Sequence, residues 1–169
     1  MSPKKKPSWA PTRSKTVYQF AQEKFEAFYE DAELMGEFHF DEIKDTLPAE
    51  SLTVNVEMYN RIEDAGLMRT FTVRENHALI GYALYIAAQT PRSGGKLCAT
   101  QEVLYIDPQH RMDGLASRFI GWCDGKLRDE GVVWITQIVP ARKGFQRLLG
   151  ALGYERKHDI YTRVFEDEQ

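Results

Sequence analysis

The sequence is poor in cysteine and contains no long apolar run. Its 169 residues include only Cys98 and Cys123, which are too far apart in sequence for a metal-ligand or disulfide-framework spacing. No run approaches the roughly 20 apolar residues that a membrane span needs, and the basic N-terminus lacks the apolar stretch of a secretory signal. These absences predict free thiols and a cytoplasmic protein with no membrane partner.

Metal-ligand patterns and excess charge are also missing. The four histidines are scattered and pair with no cysteine or carboxylate in a metal-binding spacing, so no metal is expected. The net charge is −3, which gives no general attraction to nucleic acid or to membranes. In contrast, 43% of the residues are hydrophobic, which is enough for a core and excludes a disordered chain. Length and composition together predict one domain.

The two ends of the chain differ in character from the rest. Residues 1–14 hold three lysines, an arginine and three prolines but no acid, which predicts a flexible basic tail. This tail could contact nucleic acid, or it could be a solvated tail without a partner. We place a single domain at residues 15–165 and a short acidic tail at residues 166–169.

Periodicity within the domain predicts helices first and a sheet afterwards. A first helix is expected from Lys15 to Leu34, then a loop entering a short helix in "EFHFDEIKDTL", then a helix from about Val56 to Ala65 capped by Gly66. "LMRTFTVREN" and "NHALIGYALYIAAQT" predict an antiparallel hairpin. Further along, the expected order is strand "LCATQEVLYIDP", helix "HRMDGLASRFIGWCDGKLRDEG", buried strand "VVWITQIVP" with Trp134 in the core, helix "ARKGFQRLLGALG" and final strand "YERKHDIYTRVF". This order predicts a mixed α/β sheet with at least one parallel crossover.

The junction between the strand ending at Ile106 and the next helix has the properties of an anion site. Pro108 stops strand pairing, and the helix begins near Gly114. The first turn of a helix has unpaired N–H groups and the positive end of the helix dipole, which together suit a phosphate. Gly114 would let a ligand approach the backbone, and Arg111 adds positive charge. Many strand–turn–helix junctions contain one glycine, so this feature alone is equally compatible with an ordinary turn.

The order of residues in this junction resembles a known signature. Arg111–Ala116 fits the pattern [Q/R]-x-x-G-x-[G/A], which is similar to the coenzyme A signature of the GNAT N-acetyltransferase superfamily. "LIGYAL", "EVLYIDPQHR" and "LLGALGYERKHDIYTRVF" also resemble segments of that family, so the similarity spans about residues 66–165. The resemblance implies an α/β (α+β) fold with a mixed, mostly antiparallel sheet, splayed parallel central strands and flanking helices.

The same resemblance implies acetyl-CoA as co-substrate and a set of residues that bind it. Loop amides would hold the pyrophosphate, backbone groups of the fourth strand would pair with the pantetheine arm, and a basic side chain after the fifth strand could contact the CoA phosphates. The residues in these positions are, for the loop, Arg111, Met112, Asp113, Gly114, Leu115 and Ala116; for the strand, Leu104, Tyr105 and Ile106; and for the basic side chain, Arg142.

A narrower resemblance concerns the origin of the protein. "FHFDEI", "YNRIEDAGLM" and "TQEVLYIDPQHR" are similar to GNAT-like proteins encoded by tailed phages. This resemblance implies a bacteriophage protein that acts in the host cytoplasm. It says nothing about the acceptor.

Catalytic residues are less clearly marked than the cofactor loop. Glu102 stands where several family members have a catalytic glutamate, and a carboxylate partly buried beside an apolar wall suits a base working near neutral pH. The alternative is an exposed charge on the strand edge. The tyrosine that usually acts as the acid is replaced by Leu149; Tyr161 or Tyr105 could substitute, although core packing explains each of them as well. His110 is expected to be exposed in the loop.

Two functions therefore remain open. The first is an acetyl-CoA-dependent N-acetyltransferase that moves the acetyl group directly to a primary amine on a small molecule, a protein or a modified base. The resemblance also allows a homodimer, which is common in this fold. Acidic residues could line its acceptor cleft or simply form helix surfaces; they are Glu42, Asp45, Glu57 and Glu63. The second is a catalytically degenerate GNAT fold used as a phage structural or host-interaction protein.

Overall fold

The computed structural model of the chain describes residues 17–43, 54–112, 114–139, 143–161 and 163. The basic tail predicted at residues 1–14 and the acidic tail at residues 166–169 lie outside the described residues. So do Asp45, Asp113 and Arg142, which the sequence placed in the acceptor cleft or the cofactor site. Within the described part, no helix is both long enough and apolar enough to cross a membrane.

A five-stranded sheet forms the centre of the fold. Its strands run in sequence order: β1 (Tyr18–Glu23), β2 (Met68–Glu75), β3 (Ala78–Gln89), β4 (Leu97–Ile106) and β5 (Trp134–Thr136). The first three pairings are antiparallel, and β4 pairs with β5 in parallel. The predicted fold class, a mixed and mostly antiparallel sheet flanked by helices, is confirmed.

Helices cover both faces of this sheet. Helices α1 (Phe25–Ile43) and α2 (Val56–Asp64) precede β2, α3 (Leu115–Asp129) connects β4 to β5, and α4 (Lys143–Ala151) follows β5. One apolar cluster joins α1 and α2 to side chains such as Tyr82, Leu84 and Tyr105, and a second joins α3 to Tyr85, Ala99 and Ile106. Because neighbouring residues of β3 and β4 belong to different clusters, α1 and α2 lie on the opposite face from α3.

The predicted N-terminal helix is wrong over its first part. Tyr18–Glu23 is a strand that pairs with β2, and α1 begins only at Phe25. Phe20 packs on Phe119 at 5.6 Å between ring centroids, whereas Phe25 packs on Phe28 on the other side of the sheet. Aromatic residues spaced at helical intervals therefore serve two different faces. The predicted loop in "EFHFDEI" is also wrong, because α1 continues through it to Ile43.

The predicted C-terminal strands differ as well. β5 contains only three residues, and Trp134 is 48% exposed rather than part of the core. No strand forms at residues 154–161, where the sequence predicted a final strand. The outer edge of β5 thus has no neighbouring strand in the described part of the chain. An apolar run indicates a buried strand only when both faces and both edges are covered.

Candidate active site

A split opens between β4 and β5, the last two strands of the sheet. The two strands pair only from Cys98 to Thr100 on β4, opposite Trp134–Thr136 on β5. From Gln101 to Ile106, β4 pairs with β3 alone among the described strands, so every second residue turns its N–H and C=O toward an open edge. Leu104, Tyr105 and Ile106, the residues predicted to line a pantetheine arm, lie along this edge. Such an edge accepts an extended ligand in the way that it accepts an added strand.

A β-bulge lies at the inner end of this split. Val103 faces Leu84 and Gln101 faces Tyr85, so Glu102 is the extra residue between them. Bulges re-aim side chains and are frequent beside active sites. Glu102 is exposed, which corresponds to the alternative of an edge charge rather than to a partly buried carboxylate. The pKa of Tyr59 on α2 is raised, first by burial and second by the negative charge of Glu102. The carboxylate of Glu102 therefore acts on the α2 side of the sheet.

The loop after β4 connects that strand to the first turn of α3. Asp107 Oδ1 accepts a hydrogen bond from Gln109 N at 2.8 Å and begins a single 3-10 turn, Pro108–His110. Gly114 then takes φ +71° and precedes α3 without any side-chain cap. Apart from its chain neighbours, no described residue lies within 4 Å of a Cβ built at Gly114. Met112 is 73% exposed, Leu115 is fully buried and anchors the helix, and Ala116 is half-buried.

The side chain of Arg111 is held by protein groups. Its Nε donates to Ile106 O at 2.7 Å, and its Nη2 donates to both carboxylate oxygens of Glu42, at 2.8 and 2.9 Å. The guanidinium carbon lies 5.5 Å from the ring centroid of Tyr105. Glu42 is therefore paired with a loop arginine. Spacing along the chain gives no signal for this contact, because 69 residues separate the partners.

Two further acids from the predicted acceptor cleft have structural roles. Glu63 accepts a hydrogen bond from Phe25 N at 3.0 Å and so caps the start of α1. Glu57 lies 4.0 Å from Arg61 on the exposed surface of α2. These contacts fit the interpretation of both acids as ordinary parts of a helix better than the interpretation as walls of a cleft for a cationic amine.

A half-buried chain of polar side chains lies at the inner end of the split. Tyr154 donates to Asp124 at 2.7 Å, so its oxygen is left to accept from Gln137 Nε2 at 3.1 Å; the same amide donates to Tyr85 at 3.0 Å. Burial raises the pKa of both tyrosines and of Asp124. Gln137 Oε1 and Gln101 Oε1 are buried without a partner among the described residues. No pattern in the sequence predicts this cluster, because its members come from β3, α3 and the segments after β5 and α4.

An open groove adjoins the same cluster. It has a volume of about 1870 Å³ and runs between α3, β5 and α4, with Asp124, Gln137 and Tyr154 in its wall. Leu149, which stands where the acid tyrosine was expected, is buried against it. Tyr161 also lines the groove but is 91% exposed, so the expectation of core packing is wrong for this residue. Tyr105 is buried, as that expectation required.

Two histidines lie beside β4 and the loop that follows it. His39 is buried on α1, with Nδ1 3.2 Å from the Tyr82 hydroxyl, and burial lowers its pKa to about 4. His110 was expected to be exposed but is half-buried, with Nε2 3.2 Å from Glu75 Oε2. Neither belongs to a group of three or more possible metal ligands in the ranges that the structure covers.

Comparison with known proteins gives likeness in structure but not in sequence. No family model and no curated protein sequence matches the chain. Among solved structures, a ribosomal-protein-alanine N-acetyltransferase from Brucella melitensis biovar Abortus superimposes with a TM-score of 0.65 at 13% identity, covering 89% of this chain and all of that one. A transcriptional regulator from Bacillus halodurans gives 0.71 at 16% identity over 88% of this chain and 100% of its own.

A third similar structure carries a ligand. It is AAC(6')-Iy in complex with the bisubstrate analog CoA-S-monomethyl-acetylneamine, with a TM-score of 0.64 at 17% identity, covering 89% of this chain and 99% of that one. At such low identity the likeness concerns the fold. The mixed, mostly antiparallel sheet of five strands with flanking helices is therefore the fold that this chain shares with these acetyltransferases.

Proposed function

We propose that this protein is an acetyl-CoA-dependent N-acetyltransferase that moves the acetyl group directly to a primary amine. The observation that carries the proposal is the open edge of β4 together with the start of α3 that follows it. The N-cap of α3 is Gly114, which has no side chain to cap the first turn. The edge offers backbone groups to an extended chain, and the turn offers N–H groups to a phosphate. Similar structures with acetyltransferase names support it.

The dimensions of the split agree with such a ligand. A pantetheine arm is about 16 Å long from phosphate to sulfur when extended. The open edge of β4 from Ile106 back to Gln101 measures about 17 Å at the usual rise per residue. A pantetheine arm that begins beside Ile106 would therefore bring the thioester close to the bulge at Glu102.

In the proposed reaction, each part of this site has one task. The loop from Arg111 to Ala116 binds the diphosphate through its amides. In the segment Leu104, Tyr105 and Ile106, the alternate residues whose backbone groups point away from β3 hold the arm. Glu102 takes the proton of the attacking amine, directly or through one water. Backbone N–H groups at the bulge can stabilise the negative oxygen that forms on the carbonyl carbon. The amine nitrogen forms a bond to that carbon, the carbon–sulfur bond breaks, and CoA leaves as thiolate.

The experiment is a calorimetric titration with acetyl-CoA of the parent, Gly114→Trp and Gly131→Trp. Both glycines have positive φ, and neither has an atom within 4 Å of a built Cβ, so the two variants carry a similar backbone strain of roughly 1–2 kcal/mol. Only Gly114 lies at the start of α3; Gly131 follows its end. Binding that is lost in Gly114→Trp and kept in Gly131→Trp supports the proposal. A parent that does not bind acetyl-CoA would refute it.

A second candidate function is a degenerate fold that binds acyl-CoA without transferring the acyl group. It is favoured by the buried Leu149 in place of an acid tyrosine and by the exposure of Tyr161. The two candidates differ in thiol release. An acetyltransferase would release free CoA when mixed with a panel of amines, and Glu102→Gln would slow this release by about 100-fold or more. A degenerate fold would bind acetyl-CoA and release none.

A further inference from the structure

The guanidinium of Arg111 and the first turn of α3 lie on opposite faces of the sheet. Arg111 stacks on Tyr105, which belongs to the apolar cluster of α1 and α2. Leu115, the first residue of α3, belongs to the other cluster, together with Phe119. Arg111 thus contributes its backbone to the loop at α3 but sends its side chain toward α1.

Several contacts fix the side chain in that position. The bond from Nε to Ile106 O returns the side chain to the end of β4, and the two bonds from Nη2 to Glu42 tie it to α1. The Arg111 and Glu42 side chains are 37% and 26% exposed, so the pair is partly shielded from water. Charge-assisted bonds of this kind are roughly twice as strong as neutral ones. To reach a phosphate at α3, the guanidinium would have to give up these contacts.

Helix α1 is itself anchored at this point. His39, three residues before Glu42, packs its ring against Tyr105 at 4.9 Å and contacts the Tyr82 hydroxyl. Residues three apart lie on one face of a helix, so His39 and Glu42 both face the sheet. The last turn of α1, the end of β4 and the loop at Arg111 therefore form one connected unit.

We propose that Glu42 and Arg111 form a clasp that positions the β4–α3 loop for acyl-CoA. In this assignment the loop amides bind the diphosphate, and Arg111 acts as a positioning residue rather than as a phosphate ligand. Glu42, which lies outside the loop, becomes part of the cofactor site through Arg111. The inference rests on the proposed function, since it concerns how the same loop binds the same ligand.

A positioning role and a phosphate-binding role for Arg111 predict opposite changes in acetyl-CoA affinity when Glu42 is replaced by Gln. If the clasp positions the loop, Glu42→Gln and Arg111→Met remove the same constraint, and each weakens acetyl-CoA binding by about fivefold to tenfold. The double variant then binds no more weakly than the weaker single variant, because the two effects are not additive. If Arg111 were a phosphate ligand restrained by Glu42, Glu42→Gln would tighten binding and Arg111→Met would weaken it.

The test is calorimetric titration with acetyl-CoA of the parent, both single variants and the double variant. The matched controls are Glu37→Gln, which changes an exposed acid on α1, and Arg69→Met. Like Arg111, Arg69 is bound to a carboxylate and to a backbone carbonyl, but its partner Glu130 follows the far end of α3. Tighter binding in Glu42→Gln, additive losses, or affinities equal to those of the controls would each overturn the clasp.

Hydrogen exchange separates this inference from the proposed function. We expect amides in Asp107–Met112 and in the last turn of α1 to exchange faster in both single variants than in the parent and the controls. Unchanged exchange in these two segments would overturn the clasp even if binding changed. If the parent did not bind acetyl-CoA, the proposed function would fail, and the exchange data would still decide whether the clasp holds the loop.

Discussion

Gly81→Ala is expected to destabilise the protein because no space exists for the added methyl group. Gly81 lies in β3 opposite Ile106 on β4 and Val73 on β2. A Cβ built on it would lie 2.8 Å from Tyr105 O and 3.0 Å from the nearest side-chain carbons of Ile106 and Val73. The closest of these atoms belongs to the backbone, so the contact cannot be relieved by rotating a side chain. The strands would have to move apart.

Overpacking of this kind costs about 1–3 kcal/mol. For a domain of this size, each kcal/mol corresponds to roughly 2–4 °C in melting temperature, so we expect a decrease of roughly 2–12 °C. The same movement shifts Ile106, whose carbonyl oxygen accepts the bond from Arg111. Binding of acetyl-CoA should therefore weaken together with stability. Thermal unfolding and calorimetry measure the two effects.

Gly125→Ala provides a matched control with the opposite expected sign. Gly125 lies inside α3, and a Cβ there would meet nothing within 4 Å. Alanine is favoured over glycine in a helix by roughly 1 kcal/mol, so this variant should melt a few degrees higher than the parent. If Gly81→Ala were as stable as the parent, the contact between Gly81 and β4 could not be as close as the structure has it.

Two further substitutions test buried polar groups. Tyr154→Phe removes the donor to Asp124 and the acceptor of Gln137, which should lower the unfolding free energy by about 1–3 kcal/mol in denaturant titrations; equal stability would mean that the chain of hydrogen bonds does not form. The second concerns His39, whose pKa of about 4 in the folded protein lies below the value of 6.5 expected when it is unfolded. Because the folded protein binds this proton less readily than the unfolded chain, the unfolding free energy is highest above pH 6.5. It decreases by about 3 kcal/mol in all as the pH falls toward 4. His39→Phe should flatten this part of the stability profile, and an unchanged slope would exclude His39 as its source.

The β2–β3 hairpin and the ends of α2 and α3 could be predicted from the sequence because local signals determine them. The hairpin of β2 and β3 turns at Asn76 and His77, both with positive φ, where the sequence changes from one alternating run to the next. Helices α2 and α3 end just before Gly66 and Gly131, and both glycines take positive φ. In each case a residue with unusual backbone freedom marks the boundary, so sequence and geometry agree.

Elements that depend on distant partners were not predictable in the same way. Phe20 fits a helical pattern with its neighbours, but its packing against Phe119 of α3 requires a strand. Trp134 fits a buried strand, but its exposure depends on whether another strand covers β5. The bulge at Glu102 depends on the register between β3 and β4. Local periodicity contains none of this information, because tertiary packing decides between the alternatives.

The proposed site has more features suited to binding a cofactor than features suited to acid–base catalysis. The binding half combines an open strand edge, an uncapped helix and a loop held from α1, and these parts support one another. The catalytic half offers an exposed Glu102 and a buried Leu149 in place of an acid. An amine attacking a thioester needs chiefly to be neutral and well placed, since the thiolate is a good leaving group. Orientation alone can supply a large part of the barrier reduction. A site that binds acyl-CoA well and has little acid–base machinery is therefore consistent with transfer, and the acceptor that fits beside Glu102 determines how fast transfer proceeds.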